Sequence, residues 1–181
     1  MVAITLLTSV MLCCFQCGAD FIEYRNKTEE FSINFPKGWE VRENVPLDRL
    51  PPSTTVPVVA VRPWTDSSDT FSENIIVEVQ STDNADDVET AAGRLINWYS
   101  DDVLGALIAS RESITIAGRR AVRFVYHFDM QNQDYVTVNY VVVLGRRVFL
   151  IGGGTLATRL DKYESLFDRV AHSLRFIGPD A

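Results

Sequence analysis

Apolar and polar residues alternate most regularly in the second half of the chain. Val122, Phe124, Tyr126 and Phe128 are apolar, and Arg123, His127 and Asp129 interleave with them. The same period of two returns at Val136, Val138, Tyr140, Val142 and Leu144. That period predicts strands with one face buried and the other at least partly wet. Two turn signals of the same form, Gly118-Arg119-Arg120 and Gly145-Arg146-Arg147, punctuate the run. A glycine in first position suits a two-residue II′ hairpin, since glycine alone takes that positive φ without strain. Ser113 to Thr155 therefore predicts four consecutive antiparallel strands.

Upstream, Phe21–Tyr24 is a short strand candidate, and Phe31, Ile33 and Phe35 share one face of another. Pro36-Lys37-Gly38 turns the chain, and Trp39 is placed to plug one end of the core. Val45–Val56 and Pro63–Ser72 predict loops, with a strand at Pro57–Arg62 between them and an apolar, β-branched strand at Asn74–Gln80. Helical spacing of Val88, Ala91, Ala92, Leu95, Trp98 and Tyr99 predicts a helix over 86–104, with Asp86 and Glu89 as a capping box. A second helix over 160–174 buries Leu160, Tyr163, Leu166, Phe167, Val170 and Leu174, capped by Thr158 with Asp161. Arg175-Phe176-Ile177 then ends the pattern as a short strand. The order predicts an α+β domain, an antiparallel sheet with helices packed on it.

Val2 to Phe15 is apolar except for Thr5, Thr8 and Ser9, too short a run to span a bilayer but suited to a signal-peptide core. Cys17-Gly18-Ala19 supplies small residues before Asp20, so residues 1–19 are expected to be removed and 20–181 to form one domain. The alternative is a lipoprotein, with lipid on Cys17. The three cysteines, Cys13, Cys14 and Cys17, all fall in this segment. The domain itself thus has no disulfide framework, cysteine metal site or cysteine nucleophile. A net charge of −7 disfavours a protein that tracks nucleic-acid phosphates.

Phe31-Ser32-Ile33-Asn34-Phe35-Pro36-Lys37-Gly38-Trp39 resembles the strand-Pro-x-Gly-Trp opening of PsbP-like domains. Asn74–Val79 is similar to their following strand. Gly145–Ile151, with a helix closing on Ser173-Leu174-Arg175-Phe176, resembles their ending. The resemblance covers roughly Phe21 to Ile177. It implies the Mog1/PsbP-like α/β/α sandwich, shared by the exported DcrB-like bacterial proteins. It also implies a non-enzymatic accessory or binding role in an extracytoplasmic compartment, with no cofactor.

Candidate chemistry is sparse. Gly152-Gly153-Gly154-Thr155-Leu156-Ala157 fits G-x-G-x-x-A, but the acidic residue expected about 20 positions on is absent and Leu174 stands there. A glycine hinge closing the last meander strand is the expectation. His127 and His172 are the only histidines and read as surface or boundary residues. The acidic runs Asp83–Asp87 and Asp101-Asp102 lack the spacing of a calcium loop and read as helix-start charge. Asn26-Lys27-Thr28 is formally a glycosylation sequon.

Topology makes one cluster. In a meander the turns at Gly118 and Gly145 lie at the same end of the sheet, about 10 Å apart. Arg119, Arg120, Arg146 and Arg147 would then meet as an anion- or partner-binding patch, against a protein partner or a membrane surface. The competing expectation is a small-molecule carrier or enzyme whose pocket lies under the 45–56 and 66–72 loops, near Trp39 and Trp64.

Overall fold

The computed structural model describes residues 20–43, 45, 54–65, 67, 69–82, 87–103, 106–130 and 132–178. The apolar N-terminal segment with Cys17, most of the expected 45–56 loop, residues 83–86, and the side chains of Asp101 and Asp102 lie outside the described residues.

The meander forms as its alternation predicts, as β6 (Leu107–Ile116), β7 (Arg119–Met130), β8 (Gln133–Leu144) and β9 (Arg147–Leu156). β3 (Glu40–Glu43), β4 (Thr54–Val61) and β5 (Asn74–Ser81) extend it to a seven-stranded sheet in the order β3-β4-β5-β9-β8-β7-β6. A second, three-stranded sheet of β1 (Phe21–Asn26), β2 (Phe31–Pro36) and β10 (Arg175–Phe176) runs in the order β1-β2-β10.

Both faces of the sheet's central strands are covered, which corrects the expectation of a half-wet sheet, while β3 and most of β6 stay exposed. Helix α1 (Val88–Asn97) packs Val88, Ala92 and Leu95 against Val122, Phe124 and Leu150. Helix α2 (Leu160–His172) and β2 pack Phe167, Phe31 and Ile33 against Val77, Val138 and Phe149 on the other side. Each fully buried Phe or Leu contributes about 2 kcal/mol of transfer free energy. Arg123, on the face expected to be wet, is buried against α2. Its guanidinium meets Asp168 at 3.3 Å, Glu112 at 3.1 Å and Glu164, and it lies over the Tyr140 ring. A long cation in the middle of a strand thus ties the sheet to the helix above it.

Four local expectations change. β4 begins at Thr54, inside the expected loop, because Val56 and Pro57 sit where the pairing slips between Thr55 and Val58. A bulge tolerates a residue with no N–H to give the ladder. The first helix is capped by Asp87, which accepts from the Thr90 backbone N–H at 2.9 Å, and Asp86 of the expected capping box lies outside the described residues. After Asn97 the chain continues as a π-helical turn, Trp98–Val103, which stacks Tyr99 on Tyr126 with ring centroids 4.9 Å apart. The second helix starts from a 3₁₀ turn, Ala157–Arg159, with no side-chain cap, so Thr158 and Asp161 do not form one.

The glycine run is no hinge. Gly152–Gly154 lies within β9, and a Cβ on Gly153 would stand 2.3 Å from the Phe167 ring. The sheet has no side chain there because α2 lays an aromatic ring against the backbone.

Candidate functional site

The turns bearing the arginines differ in kind. In the β6–β7 turn both Ala117 and Gly118 have positive φ, 50° and 72°, the pattern of a type I′ hairpin, and Ile116 pairs with Arg119 across it. The β8–β9 turn keeps positive φ at Gly145 alone, 60°, as a II′ turn requires, and Leu144 pairs with Arg147. Strand order places both turns at one end of the sheet.

Side-chain parity then separates the four arginines. Ala121 and Val125 face α2, so Arg119 does too, whereas Arg120 shares the α1 face with Val122 and Phe124. Arg120 reaches Glu89 on α1 at 2.7 Å, and Arg111 meets the other oxygen of the same carboxylate at 2.6 Å. Arg146 donates through Nε to the Thr82 carbonyl at 3.0 Å. Arg147 donates to the Glu29 carbonyl at 3.0 Å and pairs with Glu30 at 3.4 Å. Arg119 lies over the Phe176 ring, 5.7 Å from its centroid. The arginines share an end of the molecule, with Arg119 and Arg147 on the α2 face and Arg120 on the α1 face, each against its own neighbour.

What gathers around Arg119 comes from far along the chain. An open cleft of about 580 Å³ is lined by Ala117, Gly118, Arg119, His172, Arg175 and Phe176. Its far wall is the end of α2. His172 Nδ1 lies 2.8 Å from the Asp168 carbonyl, and because a carbonyl only accepts, Nδ1 carries the proton. Arg175 donates through Nη1 to the carbonyls of His172 at 3.0 Å and Leu174 at 2.7 Å, offsetting the negative end of the helix. Asp168, the acid of that last turn, is turned towards the sheet, where it accepts from the Tyr140 hydroxyl at 2.5 Å. Sequence reasoning missed His172 and Arg175 as neighbours of Arg119. The available signal was the basic last turn of the second helix.

The histidines do not meet. His127 pairs with Asp134 at 3.3 Å, eight positions along β7 from Arg119, about 27 Å in an extended strand. A nucleophile–base arrangement needs contact at hydrogen-bond distance.

Beneath the second loop lie charges. Arg62 pairs with Asp69 at 2.5 Å and with Glu73, and Arg159 bridges Asp69 and Glu73 at 3.0 Å each. Thr155 Oγ1 adds a bond to Glu73 at 3.3 Å. These guanidiniums hold the Asp69 and Glu73 carboxyls below the ordinary carboxylate range, against the opposing effect of desolvation. Trp39 packs against the core, and Trp64 is largely exposed.

One further titratable group is buried. Glu78 and Gln80 follow each other on the α1 face of β5, and Glu78 Oε2 and Gln80 Nε2 have no hydrogen-bond partner among the described residues. Burial pushes the Glu78 carboxyl up to about 7.

No helix among the described residues is long and apolar enough to cross a membrane. Comparison with curated proteins returned no match. Among solved structures, the chain is similar to the cyanobacterial PsbP (CyanoP) of Synechocystis sp. PCC 6803. The two are 20% identical with a TM-score of 0.58, covering 90% of this chain and 96% of that one. LpqN of Mycobacterium tuberculosis, described as involved in cell envelope biogenesis, is 12% identical with a TM-score of 0.58, covering 89% and 92%. The Ran-binding protein Mog1p of Saccharomyces cerevisiae is 12% identical with a TM-score of 0.54, covering 88% and 96%. At these identities the likeness establishes the fold, an antiparallel α+β sandwich of the PsbP/Mog1 type. The PsbP family matches residues 19–176, nearly all of the domain, and the chain belongs to that family.

Proposed function

We propose that this chain is an exported accessory domain that binds another protein at the cell envelope or at a membrane complex and carries out no chemistry of its own. The observation that carries the reading is the concentration of Arg119, Arg120, Arg146 and Arg147, with His172 and Arg175, at one end of a protein of net charge −7. Local charge of opposite sign to the whole speeds encounter with an acidic partner and fixes its orientation. The apolar stretch from Val2 to Phe15 supports export, with a lipid on Cys17 as the tethered form. The Ran binding of Mog1p and the part of LpqN in cell envelope biogenesis are in keeping with a binding module on this fold.

Two measurements test it. The mass and N-terminus of the protein from its native cell envelope should begin at Asp20, or carry a diacyl or triacyl group on a cysteine. An intact Met1 removes the export part. A photo-crosslinking residue at Ala117 should give one discrete adduct in intact cells, and the same probe at Lys162 should not. Equal labelling from both positions would remove the binding part.

A further inference from the structure

The two edges of the seven-stranded sheet are finished differently. β3 is four residues long, and Glu40, Arg42 and Glu43 make most of it charged. Short, charged edges resist the addition of another strand. β6, at the opposite edge, is ten residues long and exposed over nearly all of its length. A bulge between Ile108 and Ser110 interrupts its beginning and leaves Ser110–Ile116 as a regularly paired run. The I′ turn closes on Ile116 and Arg119, and bonded and unbonded pairs alternate from there. Ile114 and Glu112 therefore exchange hydrogen bonds with β7, while Arg111, Ser113 and Thr115 turn their N–H and C=O outward. Among the described residues, nothing bonds to these outward groups.

We propose that the Ser110–Ile116 edge of β6 takes an extended segment of the partner protein as an eighth strand, with a lysine or arginine of that segment turned to the α2 face beside Glu112. The inference rests on the accessory-binding reading and names the place and mode of contact. In strand addition the main chain supplies affinity and alternate side chains supply specificity. Charge decides the occupant. Glu112 is more than half exposed, and with Glu164 and Asp168 it sets three carboxylates around the single guanidinium of Arg123. A base on the incoming strand meets that surplus. On the α1 face Arg111 and Arg120 share Glu89, and Asp87 lies within electrostatic reach of Arg120, so no added charge is needed there.

A second copy of the chain is the wrong occupant. The two-fold axis of an antiparallel strand pair keeps each face on its own side. β6 against β6 would lay Glu112 and its neighbouring acids beside the same acids of the other copy. Two chains of net charge −7 would add to the repulsion.

The test uses the mature, isotope-labelled protein and a cyclic hairpin peptide, whose preformed strand lowers the cost of ordering. Its outer strand alternates threonine and valine around one central lysine. One counterpart carries glutamate for the lysine, and another carries N-methyl groups along the free edge of that strand. The lysine hairpin should shift the amides of Ser110–Ile116 along a saturating curve. It should also slow exchange of the Arg111, Ser113 and Thr115 amides roughly tenfold or more. The N-methylated hairpin should do neither. The glutamate hairpin should bind roughly fivefold more weakly, and Glu112→Lys should reverse that preference.

Binding that survives N-methylation overturns the proposal, as does a preference for lysine that Glu112→Lys leaves unchanged. A hairpin that leaves the β6 amides unmoved overturns it too. Protection of those amides in the protein alone, rising with concentration together with the mass by light scattering, makes the occupant a second copy and has the same result. Crosslinking in cells separates this failure from that of the underlying reading. A discrete adduct at Ala117 with an idle β6 edge sinks only the strand addition, while no adduct sinks both.

Discussion

Glu73 and Glu78 stand close together on one run of chain, both with less than a twentieth of their surface exposed, and they behave in opposite ways. Glu73 lies between Arg62 and Arg159, and its carboxyl is held below the usual range. Glu78 has an oxygen with no partner among the described residues, and its carboxyl is pushed up to about 7. Desolvation opposes ionisation at both. Two guanidiniums and a hydroxyl outweigh it at the first, and nothing does at the second. Burial alone does not decide whether an acid stabilises a fold. The partner set does.

The largest effect belongs to Glu73→Met. It leaves Arg62, about a tenth exposed, beside a reduced set of acids. Unfolding in urea should show a loss of roughly 4 kcal/mol, in the range for breaking a buried ion pair. A loss under about 1 kcal/mol would put the two glutamates in the same class.

Glu78→Met should move stability the other way. The folded-state value is raised above the unfolded one of 4.5, so the folded protein holds more protons between pH 4.5 and about 7. Stability from this group is therefore complete below pH 4.5, falls as pH rises to about 7, and is level above. The variant should gain about 3 kcal/mol at pH 8, with the gain nearly vanishing at pH 4. Asp69 and Glu73, with depressed values, contribute stability present above their unfolded values and lost as pH falls through the lower folded ones. Urea midpoints from pH 3 to pH 8 should therefore show two separate slopes of opposite sign. The variant should abolish only the upper one.

Gln80→Leu should gain about 1 kcal/mol by removing a buried amide N–H that lacks an acceptor among the described residues. The smallest effect belongs to Thr155→Val, which deletes a 3.3 Å hydrogen bond to Glu73. It should cost under about 1 kcal/mol, seen as a small fall in thermal midpoint.

The meander was legible because its two faces alternate without interruption and its turns carry glycine. The same alternation misled about burial. Arg123, His127 and Asp129 suggested water, yet Arg123 is covered by α2 and kept charged by acids drawn from β6 and α2. Pro57 hid the start of β4, since a bulge can hold the residue that ordinarily ends a strand. The arginine end was legible as topology. Its division between faces was not, because Glu89, Glu30 and Phe176 reach it only through tertiary packing. Glu78 was not legible: it shares one face of its strand with Asn74 and Gln80, a pattern that reads as wet, and that face is buried only in the folded chain.

The bare patch at Gly153 also acts at a distance. With the Phe167 ring seated where a side chain would otherwise be, α2 is keyed to the sheet and cannot slide along it without expelling the ring. His172 follows five residues later, about 7.5 Å along the helix axis. The distance from the centre of the sheet to the wall of the cleft is thus set as a peg in a hole sets the reach of an arm. Enlarging Gly153 should displace the arginine end without touching any residue in it.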